Sequence, residues 1–149
     1  MKRKIWVTFV VGLLLLTACA GNSAKPALNV SSQPIPGQKV AVAGGEYTNL
    51  AVKELQEMMQ SKDFVFVNVH IPFEGRIANT DLEIPYNEID QKLGQLPAEK
   101  DARIVLYCRS GHMSKIAAET LVSLGYTNVA SLDGGMLAWE QSGQTIEGK

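Results

Sequence analysis

One stretch of this 149-residue chain decides its fold: ARIVLYCRSGHMS, from Ala102 to Ser114. Its first half is a short apolar run typical of a buried strand, and a helical pattern follows the glycine-containing loop. Cys108 ends the strand, so its thiol is predicted to face backbone N–H groups of the loop and the positive end of the helix dipole. Both favour a thiolate, and we predict that Cys108 is a nucleophile. The competing interpretation is an inert core residue, which most free cysteines are.

The chain begins with a pattern typical of a secretory leader. Met1 to Lys4 is basic, Ile5 to Leu16 is apolar, and small residues precede Cys19. The apolar stretch is shorter than the roughly 20 residues that a transmembrane helix needs. Its ending resembles the lipobox of bacterial lipoproteins. That resemblance implies that residues 1–18 are a signal peptide, that Cys19 carries a lipid on its sulfur, and that the protein is tethered to a membrane outside the cytoplasm, inner or outer.

Charge and cysteine content exclude several classes of function once that leader is removed. The leader holds three of the 14 basic residues and none of the 15 acidic ones, which leaves 11 against 15 and a net charge of −4. A chain of this charge is not expected to bind nucleic acid. With Cys19 lipidated, Cys108 has no cysteine partner within the chain, and no disulfide is expected. His70 and His112 with one cysteine do not form a zinc site, so we expect no metal and no organic cofactor.

Past the leader, the chain divides into a linker and one domain. Residues 19–45 are rich in Gly, Ser, Asn, Pro and Ala without periodicity, and they are predicted to form a flexible tether. Residues 46–149 suit a single domain, and their alternating strand and helix patterns predict an α/β fold with a mostly parallel central sheet and helices on both faces. Ligands of such sheets bind at the carboxyl ends of strands, where Cys108 falls. The predicted strands are 47–50 (a short edge strand), 63–69, 104–107 and 128–132; the predicted helices are 52–60, 87–93, 115–124 and 136–141, the third of them burying Ile116, Ala117, Leu121 and Leu124.

Spaced elements over residues 46–143 together resemble a single rhodanese domain. They are the strand Val65 to Val69 with its Pro-containing continuation, Ile84-Pro85, the segment Ile104 to Gly111, Leu124-Gly125-Tyr126, and Leu132-Asp133-Gly134-Gly135 followed by Trp139. The resemblance implies a rhodanese-like three-layer fold. It also implies a sulfurtransferase in which Cys108 accepts a sulfane sulfur from thiosulfate or a persulfide and holds it as a persulfide. A thiol or cyanide would be the acceptor.

The residues after Cys108 are the candidate substrate-binding residues, and several have a competing structural role. Backbone N–H groups from Arg109 through Ser114 would stabilise the thiolate and the persulfide alike. Arg109 is predicted either to steer an anionic donor or to be a solvated surface charge. Ser110 either donates a hydrogen bond to the sulfur or caps the helix. Gly111 either permits a tight curvature or simply starts the helix.

Five positions depart from the family pattern or carry a second interpretation. Many single-domain rhodaneses have a cation at the sixth loop position, where this chain has Met113, so a donor less charged than thiosulfate is expected. His112 either supplies part of that charge when protonated or is an exposed loop residue. Asn68 and His70 replace the Asp and Arg usual after the second strand, positions that mostly organise local structure in the family. Asp133 is interpreted as a structural turn residue.

Two other functions suit the same fold. A related phosphatase needs an arginine where this chain has Ser114, so phosphatase or arsenate reductase activity is not expected. The second alternative is a rhodanese module without turnover, which binds a partner protein or senses redox state or persulfides at the cell envelope. Cys108 keeps that sensing role open, because an exposed thiolate oxidises readily.

Overall fold

A six-stranded sheet forms the centre of the computed structural model, which describes residues 30–149. The strands are β1 Gln38–Val42, β2 Gly45–Leu50, β3 Val65–Asn68, β4 Leu82–Glu83, β5 Ile104–Tyr107 and β6 Val129–Leu132. They lie in the order β1-β2-β6-β5-β3-β4, with β1 and β2 antiparallel and every other neighbouring pair parallel. The prediction of a mostly parallel sheet is confirmed. The leader and Cys19 lie outside the described residues.

Helices cover both faces of the sheet. They are α1 Val52–Met59, α2 His112–Ser123 and α3 Gly135–Gln141, with short 3₁₀ turns at Tyr86–Glu88 and Leu93–Gln95. One core lies under α2 and the other under α1 and α3. Successive strand residues point to opposite faces, so β5 sends Ile104 and Leu106 into the first core and Val105 and Tyr107 into the second. The predicted three layers are confirmed.

The predicted tether over residues 19–45 is wrong for its second half. Ile35 is 2% exposed, and β1 pairs with β2 along its whole length. Asn128 fixes the segment, because its Oδ1 accepts the Ile35 N–H at 3.1 Å and its Nδ2 donates to Gln33 O at 2.8 Å. As the outer strand, β1 is held by backbone pairing and keeps mostly exposed side chains, so no apolar pattern marks it. The folded domain therefore begins before residue 46, and β2 is not the edge strand that was predicted.

Some predicted helical details are also wrong. The buried residues of α2 follow a spacing of three and four from Ser114, and Ile116 lies outside that stripe at 38% exposure. Leu124 follows the end of the helix and is 39% exposed. The helix predicted over 87–93 is replaced by the two 3₁₀ turns. Within residues 30–149 no helix has the length and apolarity to cross a bilayer, and α2, with 12 residues, is the longest.

Candidate active site

Cys108 lies directly after β5, at the edge of the sheet where the parallel strands end. Its side chain is buried, and the residue is 1% exposed. The chain turns back at Gly111, whose φ of 90° lies in the left-handed region, and α2 begins at the next residue. The loop's curvature therefore requires a glycine. The Gly111 N–H donates to Cys108 Sγ at 3.1 Å, a bond that strengthens when the sulfur is negatively charged.

Ser114 is the second polar group beside the sulfur. Its Oγ lies 3.7 Å from Cys108 Sγ, 3.1 Å from Gly111 O and 2.8 Å from Ser131 Oγ, and both serines are fully buried. A hydroxyl has one proton to donate. If Ser131 donates to Ser114, the one Ser114 proton has two acceptors, Gly111 O and Cys108 Sγ, and a negative charge on the sulfur favours the second. Only a backbone role was predicted for Ser114, although its place on the buried stripe of α2 directs its side chain towards the sheet.

The remaining side chains of the loop make no hydrogen bond to the sulfur among the described residues. Ser110 and His112 are exposed, and among the side-chain hydrogen bonds of residues 30–149 neither donates to Cys108 Sγ. Gly111 occupies the N-cap of α2 without a side-chain capping bond, so Ser110 does not cap the helix either. Met113 is half-buried and packs against the core under α2. The structure therefore gives the sulfur two hydrogen-bond donors, on Gly111 and Ser114, and none from the Ser110, His112 or Met113 side chains.

The start of α3 fixes the loop from its other side. The Met136 N–H donates to Cys108 O at 2.9 Å, and the Leu137 N–H donates to Arg109 O at 3.0 Å. A Cβ on Gly135 would lie 2.2 Å from Cys108 O, so this close approach requires glycine. Only a turn was predicted here from the sequence. Its contact with the loop was missed because the two segments are far apart in the chain.

Charged residues lie around the loop as pairs of opposite sign. Arg109 Nε is 3.1 Å from Glu74 Oε2, and Lys115 Nζ is 3.3 Å from Asp133 Oδ1. Glu74 was not among the predicted residues; it lies in the loop after β3, which contains the cis peptide bond Ile71-Pro72. Arg109 is exposed, as a solvated charge would be, but its guanidinium faces a carboxylate.

Asn68 and His70 organise the loop that carries Glu74. Asn68 Nδ2 donates to Gly75 O at 3.1 Å, and Asn68 Oδ1 accepts the His70 N–H at 3.1 Å, which confirms the structural role predicted for Asn68. The His70 side chain is 8% exposed, and its Nε2 lies 3.6 Å from Glu74 Oε2. Neither ring nitrogen has a hydrogen-bond partner among the described residues. In that part of the chain, no three His, Cys, Asp or Glu side chains are grouped to hold a metal ion.

Cys108 is thus a buried cysteine with an N–H and a hydroxyl near its sulfur, and it lies at the carboxyl edge of a three-layer α/β domain. A rhodanese-like domain model matches residues 51–142, and the protein belongs to the rhodanese-like family. The resemblance on which the sequence analysis relied is therefore confirmed.

Three proteins illustrate the similarity. A sulfurtransferase of Allochromatium vinosum is 33% identical over 94 residues, which cover 61% of this chain and 85% of that protein. The thiosulfate sulfurtransferase GlpE of Vibrio cholerae serotype O1 is 30% identical over 103 residues, 68% of this chain and 95% of that protein. The crystal structure of a rhodanese-related protein from Thermoplasma volcanium has a TM-score of 0.57 at 30% identity, covering 67% of this chain and 97% of that one.

Proposed function

We propose that this protein is a sulfurtransferase that carries a sulfane sulfur on Cys108 as a persulfide. The observation that supports it best is the pair of donors at Cys108 Sγ, the Gly111 N–H at 3.1 Å and the Ser114 hydroxyl at 3.7 Å. Both donors suit a sulfur that is anionic before the reaction. The thiolate and the persulfide both carry one negative charge, so the same donors serve before and after sulfur transfer.

The reaction needs one nucleophile and no redox partner. The Cys108 thiolate attacks the terminal sulfur of thiosulfate or of a persulfide, a new S–S bond forms at Cys108, and the old S–S bond breaks. Its electron pair leaves with sulfite or with the donor's thiolate. In the second half-reaction a thiolate or cyanide attacks the outer sulfur of the persulfide, and the Cys108 thiolate is restored.

Burial of Cys108 restricts the form of the donor. The residue is 1% exposed, and the side chains on the outer side of its loop, Arg109 and Ser110, are exposed. A terminal sulfur atom needs less space around Sγ than an internal S–S bond between two bulky groups. The site therefore suits donors whose transferable sulfur is terminal and anionic.

Membrane anchoring is part of the same proposal and rests on the leader sequence. Cys19, at the end of an apolar segment and after small residues, would carry the lipid and hold the domain outside the cytoplasm. The change Cys19→Ser should remove the mass of the lipid and leave residues 1–18 attached. A lipid mass that persists in Cys19→Ser would contradict the anchor.

Thiocyanate production tests the proposed reaction. Purified protein with thiosulfate or a small persulfide as donor and cyanide as acceptor should form thiocyanate over many turnovers. The Cys108→Ser variant should form none, and Cys19→Ser, which removes the other cysteine, is the matched control and should retain the rate. Equal rates with and without Cys108 would refute the mechanism.

A further inference from the structure

The cations beside the Cys108 loop are matched by carboxylates. Two ion pairs flank the loop itself. A third lies across a shallow depression, which is lined by Arg109, Glu74, residues of α3 and the last residues of the chain. The three pairs are Arg109 with Glu74, Lys115 with Asp133, and Lys149 with Glu140. These six side chains sum to no net charge, so the surface around the loop offers little attraction to a doubly charged anion.

Glu74 faces the one cationic side chain of the loop itself. Its Oε2 lies 3.1 Å from Arg109 Nε and 3.6 Å from His70 Nε2, so one carboxylate oxygen faces both groups. The Arg109 and Glu74 side chains are 56% and 42% exposed, and an exposed pair of this kind adds little to stability. The bond from Asn68 to Gly75 O fixes the backbone next to Glu74 and so keeps the Glu74 carboxylate within reach of the guanidinium.

We infer that Glu74 is a specificity-determining residue that makes this site discriminate against dianionic sulfur donors. The inference rests on the proposed sulfurtransferase function. A fixed carboxylate repels a charge of −2 twice as strongly as a charge of −1 at the same distance. The positive charge of Arg109, which would otherwise attract the dianion more strongly, is cancelled locally. The preferred donors therefore carry a single negative charge, as persulfides and thiosulfonates do.

Two donors of matched chemistry isolate this effect. Thiosulfate is a dianion, and methanethiosulfonate has a methyl group in place of one anionic oxygen and is a monoanion. In both reactions the Cys108 thiolate takes the terminal sulfur and one S–S bond breaks. The electron pair leaves with sulfite in the first case and with methanesulfinate in the second. Total charge and electrons balance in each, and no oxidant or reductant takes part.

The test compares the kcat/KM for thiosulfate with that for methanethiosulfonate, using cyanide as the acceptor for both. The kcat/KM for thiosulfate divided by that for methanethiosulfonate should rise about tenfold in Glu74→Gln. This is the size expected for losing one adjacent charge at intermediate dielectric. Glu74→Asp keeps the charge and should keep the low ratio of the unsubstituted protein. The matched control is Glu57→Gln in the last turn of α1, which removes an equal charge from an exposed pair with Lys53. Because α1 runs from the carboxyl edge of the sheet back to the other edge, Glu57 is distant from Cys108, and its ratio should not change.

The outcomes separate this inference from the function on which it rests. If the protein accepts sulfur from both donors and the ratio is the same in Glu74→Gln as in Glu57→Gln, the role of Glu74 is refuted and the sulfurtransferase proposal stands. A rise in Glu74→Asp as large as that in Glu74→Gln would also refute it, because shape rather than charge would then decide. If neither donor transfers sulfur, both proposals fail. The rate with methanethiosulfonate also reports whether each variant has kept an intact Cys108 loop.

Discussion

Replacing Gly135 by alanine tests whether the start of α3 holds the Cys108 loop in place. Gly135 has a φ of 56°, and an added Cβ would lie 2.2 Å from Cys108 O and 2.8 Å from the carbonyl carbon of Arg109. These atoms are backbone, so relief of the clash requires α3 or the loop to move. The substitution therefore acts on the geometry of the nucleophile without changing any side chain that touches the sulfur.

The expected loss of stability has two parts. A non-glycine residue in the left-handed region costs roughly 1–2 kcal/mol. Movement of α3 also breaks the bonds from Met136 N–H to Cys108 O and from Leu137 N–H to Arg109 O, each contributing about 1 kcal/mol. We expect Gly135→Ala to lower the free energy of unfolding by about 3–4 kcal/mol, and to slow sulfur loading of the molecules that remain folded.

Gly143→Ala is the matched control. Gly143 has a φ of 85°, and an added Cβ would meet no atom within 4 Å. Gly143→Ala should therefore lower the free energy of unfolding by the backbone strain alone, roughly 1–2 kcal/mol. Guanidinium unfolding of both variants measures the difference, and intact mass after brief exposure to a sulfur donor measures loading. If Gly135→Ala is no more destabilising than Gly143→Ala and loads sulfur at the normal rate, α3 does not position the loop.

Three further predictions concern donor charge, the hydroxyl beside the sulfur, and a buried phenol. Met113→Arg adds a cation at the start of α2 and should raise kcat/KM for thiosulfate; an unchanged or lower value would show that the charge argument is wrong. Ser114→Ala should slow sulfur loading about tenfold, since a hydrogen bond to a charged group contributes roughly 1.5 kcal/mol. Ser123→Ala, at the exposed end of α2, should not slow it. Equal loading rates in the two variants would remove Ser114 from the mechanism. Burial raises the pKa of Tyr107 to about 12. The folded state favours the neutral phenol, so the contribution of Tyr107 to stability is complete below about pH 10 and is lost towards pH 12. Over that range the free energy of unfolding should fall by about 2–3 kcal/mol more than it does in Tyr107→Phe. Parallel pH curves for the two proteins would contradict this.

Features that depend on local sequence could be predicted. The runs of β3, β5 and β6 are buried on both faces, as strands between two helical layers must be, and their mostly apolar composition marks them. The cysteine at the end of β5 and the glycine before α2 are likewise adjacent in the chain. For these reasons the layers, the sheet and the position of the nucleophile follow from the residues themselves.

Features that depend on distant contacts could not. Edge strand β1 has mostly exposed side chains and is held by its pairing with β2, so its composition is that of a linker. Glu74 is an ordinary loop glutamate until the fold places it beside Arg109, and Gly135 is an ordinary turn glycine until α3 packs on the loop. The Ser114 hydroxyl is oriented by its hydrogen bond with Ser131 on β6, which is 17 residues away in the chain. Each of these requires knowledge of which segments meet at the carboxyl edge of the sheet.

The central claim is that Cys108 carries transferable sulfur, and intact mass spectrometry tests it most directly. The protein and its Cys108→Ser variant would each be weighed after exposure to thiosulfate, to methanethiosulfonate or to a small persulfide, and again after cyanide. We expect one added sulfur atom on the unsubstituted protein, removed by cyanide and absent from Cys108→Ser. No added sulfur from any donor, or the same gain in the variant, would contradict the account, and the first of these results would favour a module that binds a partner or senses redox state.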